Sequence, residues 1–315
     1  MTADVLPALT AKVRTAAHPA AEACVCGTGT SVLADRPDGT VVRHAGTVAK
    51  AHASDTDPAE LAVRMAVAAH PRLTGVLLPP LSPTAVDLHG RPVTFWPYGT
   101  PVDRDDPDAA PWEEAATLLA HLHRTPESTL PSGLPPMRGP AKAARAVARL
   151  HAAGPHPAAA PVLRAWAVLP TWARDEAPMR HRRTLCHGDL HLGQLVRAPD
   201  GEWLLIDIDD LGLGDPAWDL ARPAAWFASG LLPPDEWTRF LTAYQKAAGP
   251  AVPADTDPWP ALDVPARALT VQTAALAIAK SVAAGRPLDE VEMSVIDACD
   301  RMAAHPPELV EAIPK

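Results

Sequence analysis

Asp189, Gln194 and Asp207 have the types and the spacing to act together on one phosphate group. They lie in the stretch LCHGDLHLGQLVRAPDGEWLLIDIDD, residues 185–210, where Gln194 follows Asp189 by five positions and Asp207 follows Gln194 by thirteen. Phosphoryl transfer to a hydroxyl needs a carboxylate at the attacking oxygen and an oxygen donor for magnesium close by. A loop aspartate followed five positions later by an amide at the start of a strand can supply both. A hairpin returning beside that amide adds a second carboxylate. Magnesium prefers hard oxygen ligands and keeps several waters, so one carboxylate and one amide oxygen beside the phosphates suffice. A different chemistry stays open on the same stretch. His187, Asp189 and His191 alternate along the chain, and alternate residues of a strand share a face, so a metal-dependent hydrolase with zinc or iron is an alternative.

The elements that must position these residues are readable in outline. Gln194–Arg197 and Trp203–Ile208 flank Pro199-Asp200-Gly201 and predict a β-hairpin. Nearer the N-terminus, Ser31–Asp35, Thr40–His44 and Thr47–His52 are short β-branched runs separated by turn residues, which predicts an antiparallel meander. Asp57-Pro58-Ala59-Glu60 reads as a helix start, with Asp57 as N-cap and Pro58 in the first position. Two more strands are predicted near Val76–Leu78 and Pro92–Trp96. After Gly99 the periodicity becomes helical. Trp112–Arg124 puts Ala115, Leu118, Leu119 and Leu122 on one face, and further helices are predicted at 140–153, 160–174, 216–229, 235–248, 264–285 and 288–304. The expected fold class is therefore α+β with two lobes, a small antiparallel-sheet lobe over 1–97 and a larger, mainly helical lobe over 98–315, with ligands in the cleft between them.

Composition limits the classes of partner. The chain has 315 residues and a formal charge of −9, which speaks against nucleic acid as the partner. The four cysteines, Cys24, Cys26, Cys186 and Cys299, form neither a disulfide framework nor a paired zinc motif, so a reduced, cytoplasmic protein is expected. No long apolar stretch suggests a signal peptide at the N-terminus. Leu269–Ala284 is interrupted by Gln272, Lys280 and Ser281 and reads as a buried helix, not a membrane span.

The stretch His187-Gly188-Asp189-Leu190-His191-Leu192-Gly193-Gln194 has the histidine-to-aspartate step and the five-residue step to an amide of a kinase catalytic loop. With Gly214-Asp215-Pro216-Ala217-Trp218-Asp219-Leu220-Ala221, Leu119-Ala120-His121-Leu122-His123 and Val48-Ala49-Lys50-Ala51-His52, it resembles the aminoglycoside phosphotransferase and choline kinase group. That resemblance spans about residues 40–230 and implies a protein-kinase-like fold, ATP and Mg2+ as cofactors, and a small-molecule hydroxyl acceptor such as an aminoglycoside-type antibiotic, an amino sugar or another sugar. It implies that Asp189 is the catalytic base or hydroxyl-orienting carboxylate and that Gln194 and Asp207 hold magnesium. Lys50 would pair with the α- and β-phosphates, with Glu60 orienting it; Glu60 fits a capping box equally well. Asp219 would brace the catalytic loop, and His187 would order it. Trp96-Pro97-Tyr98-Gly99 resembles the hinge, which places Trp96 and Tyr98 at the nucleotide. Gln194 stands where most of the group has asparagine, and His191-Leu192-Gly193-Gln194 resembles a maltokinase-like branch. No glycine-rich phosphate loop stands out, with Arg36-Pro37-Asp38-Gly39 and Gly27-Thr28-Gly29-Thr30 both as candidates. Asp209 and Asp210 are open between a second metal contact, a substrate carboxylate and solvated loop acids. Trp218, Trp226 and Trp237 divide between core packing and an acceptor pocket. A nucleotide-binding pseudoenzyme or regulator on the same fold is a further alternative.

Overall fold

A computed structural model of the protein describes residues 5–19, 27, 29–36, 38–103, 105–179 and 184–305. Cys24, Cys26, Thr28 and Pro37 lie outside these residues. The chain divides into two compact units, one of Met1–Pro111, Ser128–Pro135 and Leu192–Asp209, the other of Trp112–Glu127, Pro136–His191 and Asp210–Lys315.

The first unit is built on a five-stranded antiparallel sheet in the order β1-β2-β3-β5-β4. Its strands are β1 (Thr30–Arg36), β2 (Gly39–His44), β3 (Thr47–His52), β4 (Val86–Leu88) and β5 (Arg91–Pro97). Alternation along β3 buries Thr47, Ala49 and Ala51 and turns Val48 and Lys50 to the other face. The buried face is covered by α1 (Val5–Ala17), which the strand-and-turn reading of the N-terminal region did not anticipate. Val5, Leu9 and Val13 recur every four residues and pack on Val42, Ala49, Ala51 and Val93. Each such side chain contributes about 1.5–3 kcal/mol of burial, enough to order a thirteen-residue helix that would be marginal alone. Pro7 sits in the first turn, where no backbone donor is needed.

Helix α2 (Pro58–Ala68) starts as expected, with the Asp57 carboxylate accepting from Ala59 N at 2.7 Å and Glu60 N at 3.2 Å. The strand expected at Val76–Leu78 is corrected to a single parallel bridge, Leu77 with Leu205. The run is too short to extend, because Gly75 precedes it at φ 77° and Pro79-Pro80, without amide donors, follows. β4 takes the sheet edge instead. A second sheet joins β6 (Thr100–Pro101), β8 (Leu195–Arg197) and β9 (Trp203–Leu205), in the order β6-β8-β9. β8 and β9 are the expected hairpin, and Gly201 at φ 94° supplies the left-handed turn residue.

The second unit is mainly helical. It contains α3 (Trp112–His123), α4 (Gly139–Ala152), α5 (Ala159–Ala167), the short antiparallel pair β7 (Thr184–Cys186) and β10 (Gly212–Gly214), α6 (Ala217–Ala228), α7 (Pro234–Lys246), α8 (Trp259–Ala284) and α9 (Glu290–Ala304). α5 stops seven residues before its expected end, with Pro170 just beyond it. α8 starts five residues early, because Pro260 occupies a first-turn position where proline is tolerated. It is buried along most of its length, including Gln272 and Ser281, and ends on Gly285 in the left-handed region. Among the described residues no helix is long and apolar enough to cross a membrane.

Candidate active site

The sheet unit gathers Lys50, Asp207, Asp209 and Gln194. Lys50 sits in the middle of β3, opposite Val41 on β2 and Thr94 on β5. Its ammonium lies 2.7 Å from Asp207 Oδ1 and 2.9 Å from Asp209 Oδ2. Burial alone would lower the lysine pKa, but the two carboxylates outweigh it and hold the group well above its ordinary value. Asp209 is pushed up by burial and, more strongly, held far below the carboxylate range by Lys50 and His52, whose Nδ1 is 3.0 Å away. A polar chain continues from there, since His52 Nε2 is 2.9 Å from Thr94 Oγ1 and Trp96 Nε1 donates to that hydroxyl at 2.8 Å.

The β8–β9 ladder carries on for one more pair beyond Leu195 and Leu205, as Ile206 N donates to the Gln194 carbonyl at 2.9 Å. Asp207 is the next residue along. It adopts φ 64°, a left-handed conformation that aspartate tolerates better than most residues, and its Oδ1 also accepts from Asp209 N at 3.3 Å. Gln194 is buried, and its side-chain amide makes no hydrogen bond among the described residues; Asp207 Oδ2 is also uncommitted there. Both oxygens are hard donors of the kind that could hold magnesium, which takes few protein ligands beside phosphate and water.

The expected Lys50–Glu60 pair does not form. Glu60 stands in the first turn of α2 and bonds Arg64 one turn on, at 3.0 Å, while Lys50 is occupied by Asp207 and Asp209. At the expected hinge, Tyr98 N donates to the Gly46 carbonyl at 2.8 Å, and the Arg43 guanidinium stacks 3.3 Å from the Tyr98 ring centre.

The helical unit holds Asp189 in a charged cage. Lys142 Nζ lies 2.7 Å from Asp189 Oδ2 and also 2.7 Å from Asp210 Oδ2, and Arg222 Nη2 lies 2.7 Å from Asp189 Oδ1. Arg222 Nε donates to the Leu190 carbonyl at 3.0 Å, which fixes the guanidinium, and Arg138 Nε bonds Asp210 at 2.9 Å. Burial pushes the Asp189 pKa up, but Lys142 and Arg222 more than offset it and hold the carboxyl below its ordinary range. Lys142 is raised, because Asp210 and Asp189 overcome the desolvation that would lower it. Asp209 and Asp210 are thus both ion-paired rather than solvated.

Asp219 on α6 braces the loop. Its Oδ2 accepts from His187 N at 2.6 Å and its Oδ1 from Gly188 N at 2.7 Å. His123 Nε2 meets Oδ2 at 2.9 Å, and His123 Nδ1 meets the Tyr244 hydroxyl at 2.8 Å. Ala251 N donates to that hydroxyl oxygen, so the phenol hydrogen points to Nδ1 and the Nε2 hydrogen to Asp219. Gly188 is required by its φ of 85° and by the backbone of Asp210, which a β-carbon would strike.

His187, Asp189 and His191 do not come together as a metal-ligand group among the described residues; the cluster that does is His123, Cys186 and Asp219. Its donors are already committed to the brace, and burial raises the Cys186 thiol well above its ordinary pKa, away from the thiolate a zinc site needs. Trp218 and Trp237 are buried, the latter stacked among Phe227, Phe240 and Trp259. Lys142, Arg222 and Arg138 were not singled out from the sequence. Arg222 follows Asp219 by three residues and so shares its helix face, which was a usable signal; Lys142 is separated from Asp189 by α5 and β7, and no spacing relates the two.

An antiparallel-sheet unit and a mainly helical unit carrying these residues define a protein-kinase-like α+β fold. The chain belongs to the phosphotransferase enzyme family, whose model matches residues 33–262. A choline/ethanolamine kinase family protein from Mesorhizobium loti is similar over 96% of this chain and 94% of its own, with 16% identity and a TM-score of 0.60. Choline kinase LicA from Streptococcus pneumoniae covers 89% of this chain and 95% of its own at 13% identity and a TM-score of 0.56. A spectinomycin phosphotransferase solved with ADP and spectinomycin covers 87% and 88% at 12% identity and a TM-score of 0.55. At these identities the likeness is one of fold. None of the curated proteins matches the chain.

Proposed function

We propose that this protein transfers the γ-phosphate of ATP to a hydroxyl of a small polar acceptor, of the aminoglycoside, amino-sugar or sugar class. The observation that carries the reading is Asp189, an ionised carboxylate between Lys142 and Arg222 on a loop whose amides are bonded to Asp219. A carboxylate with a lowered pKa is a weak base, which favours orienting the acceptor hydroxyl over taking its proton early. The bond from the γ-phosphorus to the β–γ bridging oxygen breaks and leaves ADP, the acceptor oxygen bonds to phosphorus, and the hydroxyl proton is released to solvent. Rate enhancement comes from positioning and charge neutralisation.

Residues 1–97 carry nucleotide recognition in this reading, and 98–315 carry catalysis and acceptor binding. Lys50 pairs with the nucleotide phosphates once released from Asp207 and Asp209, and the hinge residues Trp96 and Tyr98 flank the base. Gln194 and Asp207 hold Mg2+, which neutralises phosphate charge when bound. Glutamine in this position follows the maltokinase-like pattern. Glu60 drops out of the set, since its partner is Arg64. The neighbour solved with ADP supports nucleotide use. Buried, free Cys186 and Cys299 suit a reducing, cytoplasmic setting.

The test is ATP consumption over an acceptor panel with mass detection of the product, alongside Asp189→Ala. That variant should keep its nucleotide affinity and lose about 10³-fold or more in turnover. Phosphorylation by Asp189→Ala at near wild-type rates would remove Asp189 from its role.

A further inference from the structure

Lys50, His52, Thr94 and Trp96 stand on one face of the five-stranded sheet, since Lys50 and His52 alternate along β3, and Lys50 pairs with Thr94 and Val48 with Trp96 on β5. Asp209 lies against this face. Its Oδ2 is 2.9 Å from the Lys50 ammonium and its Oδ1 is 3.0 Å from His52 Nδ1. The second contact is close but not aligned. Among the described residues neither His52 Nδ1 nor Asp209 Oδ1 makes a hydrogen bond, although both atoms are buried. Buried polar atoms left in this way are uncommon, because each bears the cost of desolvation. Oδ2 of the same carboxylate is held by Lys50, so the group is not free to turn toward the ring.

The ring itself is fixed. His52 is 1% exposed, its Nε2 is 2.9 Å from Thr94 Oγ1, and Trp96 Nε1 donates to that oxygen at 2.8 Å. A bare Nδ1 would set its lone pair against a carboxylate, so the ring carries a hydrogen there, and the Thr94 hydroxyl donates to Nε2. Glu60 bonds Arg64, so the carboxylates that hold Lys50 are Asp207 and Asp209. When Lys50 moves to the nucleotide phosphates, Asp209 loses its cation in a place where its side chain is only 23% exposed. We propose that His52 is a positioning residue that takes over Asp209 as Lys50 departs, the carboxylate turning from the ammonium to the Nδ1–H. The completed hydrogen bond lowers the free energy needed to release Lys50. This rests on the assignment of Lys50 to the phosphates.

Calorimetry of the full-length protein with Mg2+ and the non-hydrolysable ATP analogue AMP-PNP tests the exchange without turnover. His52→Leu should weaken binding about tenfold, because Asp209 is left without a donor once Lys50 moves. His52→Asn, whose amide nitrogen stands as many bonds from the β-carbon as Nδ1 does, should stay within about threefold of the wild type. Asp209→Asn leaves no charge behind and should bind at least as tightly as the wild type. Adding His52→Leu to Asp209→Asn should then weaken binding by less than about twofold. That result separates positioning from a structural role, since a general loss of order around residue 52 would weaken both backgrounds alike.

Binding by His52→Leu within about twofold of the wild type overturns the proposal, as does the same tenfold loss in the Asp209→Asn background. A His52→Asn variant as weak as His52→Leu also overturns it. So does an Asp209→Asn variant about tenfold weaker than the wild type, because Asp209 then serves the bound nucleotide directly. The nucleotide reading survives each of these as long as the wild type binds AMP-PNP and Lys50→Met binds it less tightly. A wild type that does not bind AMP-PNP removes that reading and this one with it.

Discussion

Replacing Asp219 with asparagine should unfasten the loop that carries Asp189. Three donors converge on this carboxylate, His187 N at 2.6 Å, Gly188 N at 2.7 Å and His123 Nε2 at 2.9 Å, and the residue is 1% exposed. Asparagine has nearly the same shape but only one oxygen, and its amino group is a donor. With the oxygen toward His187 and His123, the amino group faces the Gly188 N–H; reversed, it faces two donors. At least one hydrogen bond to a charged acceptor is lost, at about 1.5–3 kcal/mol, and a buried N–H is left facing another donor, at about 1–3 kcal/mol. The expected loss is about 3–5 kcal/mol, or a melting temperature lower by about 10 °C. Urea unfolding of both proteins, followed by circular dichroism, measures the first quantity. Turnover at a temperature where both stay folded should also fall, by about 100-fold, because the loop amides that place Asp189 are no longer held. A variant within about 0.5 kcal/mol of the wild type and with ordinary turnover would refute the brace.

Lys50→Met leaves Asp207 and Asp209 facing each other without their cation. Because both pairs are partly exposed, the stability loss should be about 2 kcal/mol rather than the larger figure for a fully buried pair, and nucleotide affinity measured by calorimetry should drop at least about tenfold. Glu60→Gln should change that affinity by less than about twofold, since Glu60 bonds Arg64 and not Lys50. Acid stability should reveal His191, whose pKa burial and Arg222 lower to about 4. The unfolded chain takes up this proton near pH 6.5 and the folded one only near 4, so its contribution is whole above pH 6.5 and declines as pH falls to 4, by up to about 3 kcal/mol. Melting temperatures at pH 7 and pH 4.5 should differ less in His191→Gln than in the wild type. Asp189, with its lowered pKa, contributes below that window, so the two effects separate.

What could be read directly from the residues was local. Asp57 and Pro58 start α2 because capping involves atoms two or three residues apart, and the β8–β9 hairpin follows from alternation around Asp200-Gly201. The five-residue step from Asp189 to Gln194 identified the loop, and the hairpin register placed Asp207 next to the residue paired with Gln194. α1 was not legible in this way, because Val5, Leu9 and Val13 make a helix only when β2, β3 and β5 supply the surface they cover. The same holds for the charge on Asp189. Its type and position in a catalytic-loop pattern are sequence properties, and they determined which reaction to look for. Its ionisation depends on Lys142 from α4 and Arg222 from α6, side chains brought within 2.7 Å by helix packing alone. Electrostatic interactions act over ångströms in space and carry no trace of separation along the chain, so the tertiary structure decided how the carboxylate is held.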